Sequence, residues 1–280
     1  MVRAGLRRLN AYLSRHETRR TTREPAQSPE LVEAIDRLRT LDQQDRYFEE
    51  HLQRLARTLT LVPEPRSTRR VLELGCYMQI TPFLKLWRGY EEVRGAYYGA
   101  LGAKSKRMVS VSGQPFELDI DLFDAERDRF LYDDAYFDLV IAGEIIEHLI
   151  SDPMHLLLEC RRVLDEGGHL LISTPNAASL TSVARALHGY DNPQIYSKYS
   201  REMPHVREYT AHELRKAVES AGFEIATLFT ETDGSKEYVE AFLEEHGYNP
   251  ELRGEQTWCI GIKRSNLPVT RYPTFLYDES

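Results

Sequence analysis

The run Glu144-Ile145-Ile146-Glu147-His148 sets two carboxylates and an imidazole at i, i+3 and i+4. A helix beginning at Glu144 would project all three from one turn. His205 comes later, in a stretch that can fold back over the same mouth. Glu144, Glu147, His148 and His205 together suit an octahedral divalent ion with positions left open for substrate oxygens. Mixed nitrogen and oxygen ligands favour Mn²⁺, Fe²⁺ or Zn²⁺ over Mg²⁺. Such an ion lowers the pKa of a bound hydroxyl and makes it a nucleophile. Two other readings stand beside this one. His148 can act without metal as a general base, helped by Glu147, or the pair can simply brace a helix start.

A second stretch, Arg70 to Pro82, reads as a buried strand carrying Glu73, then Gly75, then a turn into a helix. Parallel sheets place nucleotide cofactors at such strand-to-helix crossings. Thr81 is expected to N-cap the helix and Pro82 to fit its first turn, so that backbone N–H groups face a ligand. Tyr77 and Gln79 stand where glycines would let a ligand approach closely. A third group, Tyr190, Tyr196, Tyr199, His205 and Arg207, falls in a stretch (176–209) without clear periodicity. Its stacking and hydrogen-bonding groups suit a sugar, phenol or polar natural product, and simple packing of a lid is the other reading.

The elements that must position these groups follow from periodicity. Residues 1–28 read as a basic arm and linker. Leu6, Leu9 and Leu13 share one helical face there, which offers a weak contact with anionic lipid or a partner, or merely a frayed tail. Ser28-Pro29-Glu30-Leu31 opens a long amphipathic helix reaching about Leu61, with room for a kink or a break near Leu41-Asp42. This segment, 29–66, precedes the main domain at 67–264, and 265–280 reads as a tail. Strands are expected at 70–75, 93–99, 116–121, 137–142, 168–174, 223–230 and 257–263. The runs 137–142 and 169–173 are nearly continuously apolar, as in strands covered on both faces. Helices are expected at 82–88, 103–110, 145–149, 153–164 and 210–221. The fourth of these meets a stop at Gly167-Gly168, and the last opens on the capping box Thr210-Ala211-His212-Glu213.

Composition limits the function classes. The net charge of −8 over 280 residues is unevenly spread, because seven arginines and one glutamate occupy residues 1–23. An acidic body argues against a nucleic-acid groove, while the arm keeps that option open. Cys76, Cys160 and Cys259 form no CxxC pair, so neither a disulfide framework nor a zinc knuckle is indicated. With no secretory signal and no apolar run long enough to span a membrane, a cytoplasmic location is expected.

In order and spacing, four stretches resemble the class I S-adenosylmethionine-dependent methyltransferases, over about residues 68–263. They are Val71-Leu72-Glu73-Leu74-Gly75-Cys76, Tyr136 through Leu149, Arg161 through Asn176, and His205-Val206-Arg207-Glu208-Tyr209-Thr210. The resemblance implies an α/β, Rossmann-like, seven-stranded and mostly parallel sheet with helices on both faces. It implies S-adenosylmethionine as cofactor. Glu73 and Gly75 would lie at its methionine part, with backbone contacts from Cys76 and Tyr77. Tyr97 or Tyr98 would meet the ribose, where the family usually has an acid. The adenine edge would be read by Asp121-Leu122-Phe123-Asp124, and Glu144 would close the site. Glu-x-x-Glu-His with a distant histidine resembles the metal set of the small-RNA 3′-terminal 2′-O-methyltransferases and the ubiquinone-pathway O-methyltransferases. The expected activity is O-methylation of a small molecule, glycan or lipid-linked hydroxyl. RNA-end methylation and a non-catalytic binding protein of this fold are the alternatives.

Overall fold

The computed structural model describes residues 28–42, 44–187, 189–190, 205–231, 241, 243–249 and 251–278. The basic arm, Tyr196 and Tyr199 therefore lie outside the described residues. Two helices come first among the described residues. α1 (Pro29–Leu38) starts from Ser28, whose hydroxyl accepts from the Leu31 N–H. α2 (Arg46–Leu61) starts from Asp45, whose carboxylate accepts from the Phe48 N–H at 2.8 Å. The expected break between them has a structural use. Leu41 bridges to Val111, and the Asp42 N–H donates to Ser110, so the connection covers a sheet edge. Covering an edge in this way blocks pairing with other chains.

The order of the remaining elements is β1 (Arg70–Leu74), α3 (Thr81–Leu86), β2 (Glu92–Tyr97), β3 (Lys104–Val111), β4 (Gln114–Leu122), β5 (Phe137–Gly143) and a single 3-10 turn (Ile146–His148), followed by α4 (Pro153–Val163), β6 (Leu164–Pro175), α5 (Leu180–Leu187), α6 (Ala211–Ser220), β7 (Phe223–Glu231) and β8 (Gln256–Lys263). The strands form one sheet in the order β3-β4-β2-β1-β5-β6-β8-β7. β1 runs parallel to β2 and β5, β2 to β4, and β5 to β6, while β3 and β8 are antiparallel to their neighbours. The chain winds outward from β1 and then returns to β5 on its other side. That reversal is where ligands bind in open α/β sheets.

Among the described residues the sheet has eight strands rather than seven. The extra one is β3, where the sequence reading put a helix at 103–110. Its side chains alternate in exposure along Lys104 to Met108. It joins β4 through Ser112-Gly113, with φ of 50° and 76° and Val111 opposite Gln114. Positive φ at both central residues defines the tight hairpin turn matching strand twist. Two other local expectations need correction. Thr81 is the first helical residue of α3 and makes no cap; Ile80 precedes it without a side-chain bond. α4 stops at Val163, before Gly167-Gly168, and runs straight into β6.

Helices cover both faces. α4 and α6 bury Met154, Leu157, Leu214 and Val218 against one face. α1 and α2 bury Leu31, Leu38, Phe48, Leu52 and Leu59 against the other. The N-terminal helical segment therefore shares the sheet's core and is no separate unit. The same holds for the C-terminal stretch, read from sequence as a tail. Phe275, Leu276 and Tyr277 pack on the core. The Tyr277 hydroxyl donates to Asp152 at 2.6 Å and Arg271 pairs with the same carboxylate. Among the described residues, no helix is long and apolar enough to cross a membrane.

Candidate cofactor and catalytic site

A cavity of about 1350 Å³ opens at the carboxyl ends of β1, β2 and β5, with α2 as its outer wall. Of the residues expected to meet a cofactor, Glu73, Gly75, Tyr77, Tyr97, Phe123 and Glu144 line it, as do Tyr98 and Asp124. Gly75 has a φ of +64°, and a Cβ there would come within 3.3 Å of Ile145. Glycine is thus required by both the backbone and the approach of the next loop. Glu73 is buried at the end of β1 and accepts from the Thr81 hydroxyl at 2.6 Å. Burial pushes its carboxyl up to about 7, against the lowering effect of the Thr81 and Cys76 hydrogen bonds.

Three expected cofactor residues do not line the cavity. Cys76 is fully buried, its N–H donates to Ala96, and its carbonyl accepts from Arg107 at 2.8 Å. Its backbone groups are therefore already used. Asp121 is buried and held by the Tyr132 hydroxyl at 2.9 Å and Lys104 at 3.6 Å. Leu122 packs its side chain beneath Gly99, within 3.0 Å of where a Cβ would stand.

At the other end of the cavity, Glu147, His148 and His205 converge. One ligand atom from each lies within 4.8 Å of the others. The His148 and His205 rings meet edge to face at 4.8 Å. The backbone explains this long-range meeting: the N–H groups of Val206 and Arg207 donate to the Glu147 carbonyl at 2.8 and 3.2 Å. His205 Nδ1 lies 3.3 Å from Glu208 Oε1, which orients the ring. Glu147 is completely buried; Oε2 accepts from Thr174 at 3.0 Å, and Oε1 has no partner among the described residues. Burial first, and then the nearby Glu144 charge, hold its carboxyl well above the usual range. A buried carboxylate oxygen without a partner is costly unless a proton or a cation meets it.

The fourth expected ligand is not part of this group. Glu144 has a φ of +53° and precedes a 3-10 turn, not an α-helix, so the i, i+3, i+4 alignment is lost. Its carboxylate is taken by Arg54 at 2.7 Å, Ser173 at 2.8 Å and Gln256 at 2.6 Å. Of the expected substrate residues, His205 lines the cavity. Tyr190 is exposed away from it, and Arg207 pairs with Glu213 at 2.8 Å over the Tyr209 ring.

Sequence reasoning missed the wall made by α2. Tyr47, His51, Arg54 and Thr58 recur at i, i+4, i+7 and i+11 and all line the cavity. This polar stripe runs beside the apolar one, and its spacing was the available signal. Gln256 and Trp258 of β8 complete the opposite side.

The "Methyltransferase domain" family matches residues 42–228, spanning α2 to β7. The chain belongs to this methyltransferase family. A protein of Mycolicibacterium smegmatis named "Probable S-adenosylmethionine-dependent methyltransferase" is 38% identical over 92 residues. That stretch covers 33% of this chain and 30% of the relative. Among solved structures, the PH0226 protein of Pyrococcus horikoshii OT3 has a TM-score of 0.50 at 14% identity, over 80% of this chain and 95% of that one. A S-adenosylmethionine-dependent methyltransferase from Archaeoglobus fulgidus has a TM-score of 0.48 at 21% identity, over 78% and 100%. S-adenosylmethionine is the cofactor expected for the family, and this methyltransferase has groups that suit it. Glu73, Gly75 and Phe123 line the cavity at the crossing where a cofactor of this kind would sit.

Proposed function

We propose that this methyltransferase moves the methyl group of S-adenosylmethionine to a hydroxyl of a small molecule, glycan or lipid-linked acceptor. The observation that carries the reading is the meeting of His148 and His205 beside buried Glu147, at the edge of the cavity that also holds Glu73 and Gly75. The bound cofactor supplies an electrophilic methyl on a sulfonium. The protein's part is to hold the acceptor oxygen in line, take its proton and exclude water.

Glu73 and the Gly75 turn would hold the methionine end, while Tyr97, Tyr77 and Phe123 would face the nucleoside. His148 or His205 accepts the hydroxyl proton, and Glu208 keeps the His205 ring turned toward the cavity. Along the described lining, carboxylates outnumber arginines, which suits a cationic cofactor and opposes a polyanionic acceptor such as RNA.

A metal-assisted version is favoured by one observation, the unpartnered Oε1 of Glu147 within the three-residue group. Glu147, His148 and His205 would hold the ion, of Mn²⁺, Fe²⁺, Zn²⁺ or Mg²⁺ type, and it would supply Lewis acidity toward the hydroxyl. Glu144 is not needed for it.

Calorimetry with S-adenosylmethionine and S-adenosylhomocysteine, with and without Mn²⁺, tests both parts. Micromolar cofactor binding is expected. Absence of binding to either compound at millimolar concentration would remove the enzyme reading. Failure of the protein to take up Mn²⁺, together with full activity of Glu147→Gln, would remove the metal.

A further inference from the structure

In doubly wound sheets, a carboxylate near the end of the second strand takes the ribose hydroxyls of a nucleotide cofactor, and an arginine there instead accommodates a phosphate on that ribose. β2 ends at Tyr97 and is followed by Tyr98 and Gly99, with no carboxylate. Tyr97 lines the cavity, and its hydroxyl shares a 2.7 Å hydrogen bond with that of Tyr77. The two rings meet edge to face at 5.2 Å. Behind them stands Arg107 of β3, its guanidinium 4.5 Å from the Tyr97 ring centre and 6.0 Å from that of Tyr77. Its Nη1 donates to the Cys76 carbonyl, which fixes the charge against the loop that carries Tyr77. Among the described residues, this guanidinium is held by that carbonyl and by the two rings. The cavity lining carries more carboxylates than arginines, and Arg107 adds a positive charge beside the Tyr77–Tyr97 pair.

We propose that Arg107 and the Tyr77–Tyr97 pair form a cation-backed phenol clamp for the ribose edge, and that this edge admits an anionic ribose substituent. The proposal rests on the reading that the cavity holds S-adenosylmethionine. A carboxylate at this place accepts from the ribose hydroxyls and repels an anion. Phenols both donate and accept, so they serve a ribose hydroxyl and a phosphate oxygen alike. The cation behind the rings holds their orientation and favours negative charge in front of them. Arg107 is a positioning residue, acting through the tyrosines.

Calorimetry on the full chain with S-adenosylhomocysteine, adenosine, adenosine 2′-monophosphate and adenosine 3′-monophosphate tests this. At least one of the two phosphates is expected to bind within about threefold of adenosine or more tightly, with a preference that fades at high salt. Arg107→Met is expected to weaken the phosphates about tenfold relative to adenosine, and Arg107→Lys to retain the preference. Tyr97→Phe is expected to weaken S-adenosylhomocysteine about fivefold, the scale of one neutral hydrogen bond. Rejection of both phosphates by more than about tenfold against adenosine in the unaltered protein overturns the clamp while leaving the cofactor reading intact. A phosphate-to-adenosine ratio unchanged in Arg107→Met also overturns it. If neither S-adenosylhomocysteine nor adenosine binds, the cofactor reading falls and the clamp with it.

Discussion

Glu73 shows how one side chain carries opposing demands of stability and function. Its folded carboxyl titrates near 7, above the ordinary 4.5, because it is buried. A raised carboxyl pKa means that the folded state binds its proton more tightly than the unfolded chain does. The contribution is neutral below about 4.5, where both states are protonated, and turns unfavourable as pH rises toward 7. Glu73→Gln removes this penalty. Thermal melts from pH 4 to 8 are expected to show a flatter decline for the variant, and a gain on the order of 1 to 3 kcal/mol at pH 8. The same change should weaken S-adenosylmethionine about tenfold, since the site loses a charged partner for the ammonium. Loss of stability at pH 8 would refute the account of Glu73 as a buried, strained acid. His148→Ala belongs to the same scale. It should lower turnover by about 10²- to 10⁴-fold while leaving cofactor affinity within about twofold, read by steady-state kinetics beside calorimetry.

At the scale of elements, α2 is the part that makes the site asymmetric. Arg54 reaches from it to Glu144 across the cavity, and both side chains are mostly buried, at 14% and 17% exposure. Truncating one partner of such a pair leaves a charge without compensation. Arg54→Met is therefore expected to cost about 3 kcal/mol, and adding Glu144→Gln should recover a large part of that. Denaturant unfolding of the single and double variants reads this directly; additive losses would mean that the pair is not coupled. α2 also shows what the sequence could and could not disclose. Its helix, its break from α1 and its buried face were legible, because apolar spacing is a local signal. Its role as a cavity wall was not, because the partners Glu144, Gln256 and Trp258 come from distant strands. Lys104 to Val111 failed for another reason: a helical reading ignored the Ser112-Gly113 turn, whose chemistry fixes a hairpin. Glu147, His148 and His205 were legible as a set. Glu144 was misplaced because i, i+3 and i+4 spacing aligns side chains only in an α-helix, and the chain makes a 3-10 turn there.

The whole molecule is closed by segments at both ends of the described chain, and the C-terminal one can be tested without touching the site. Residues 265–278 cross the α4 and α6 face, where Arg271 and Tyr277 converge on Asp152, itself the N-cap of α4. Burial alone would raise the Asp152 carboxyl; the Arg271 and Tyr277 hydrogen bonds outweigh it and hold the pKa below the ordinary value. A depressed carboxyl pKa gives stability that is present above the unfolded value of about 3.8 and is lost as pH falls through the folded one. Because the pair is partly exposed, its worth is modest and should shrink in salt. The apolar packing of Phe275, Leu276 and Tyr277 is the larger part of the attachment. Arg271→Ala is therefore expected to lower the melting temperature slightly at pH 7, by an amount that shrinks as pH falls below about 3.8. Removing residues 270–280 should lower it by several degrees at neutral and at acid pH. None of these tail residues lines the cavity, so S-adenosylhomocysteine affinity measured well below the melting temperature should be unchanged in both variants. A truncated protein that is stable but binds the cofactor weakly would show that the strap acts on the site through α4, contrary to the packing seen here.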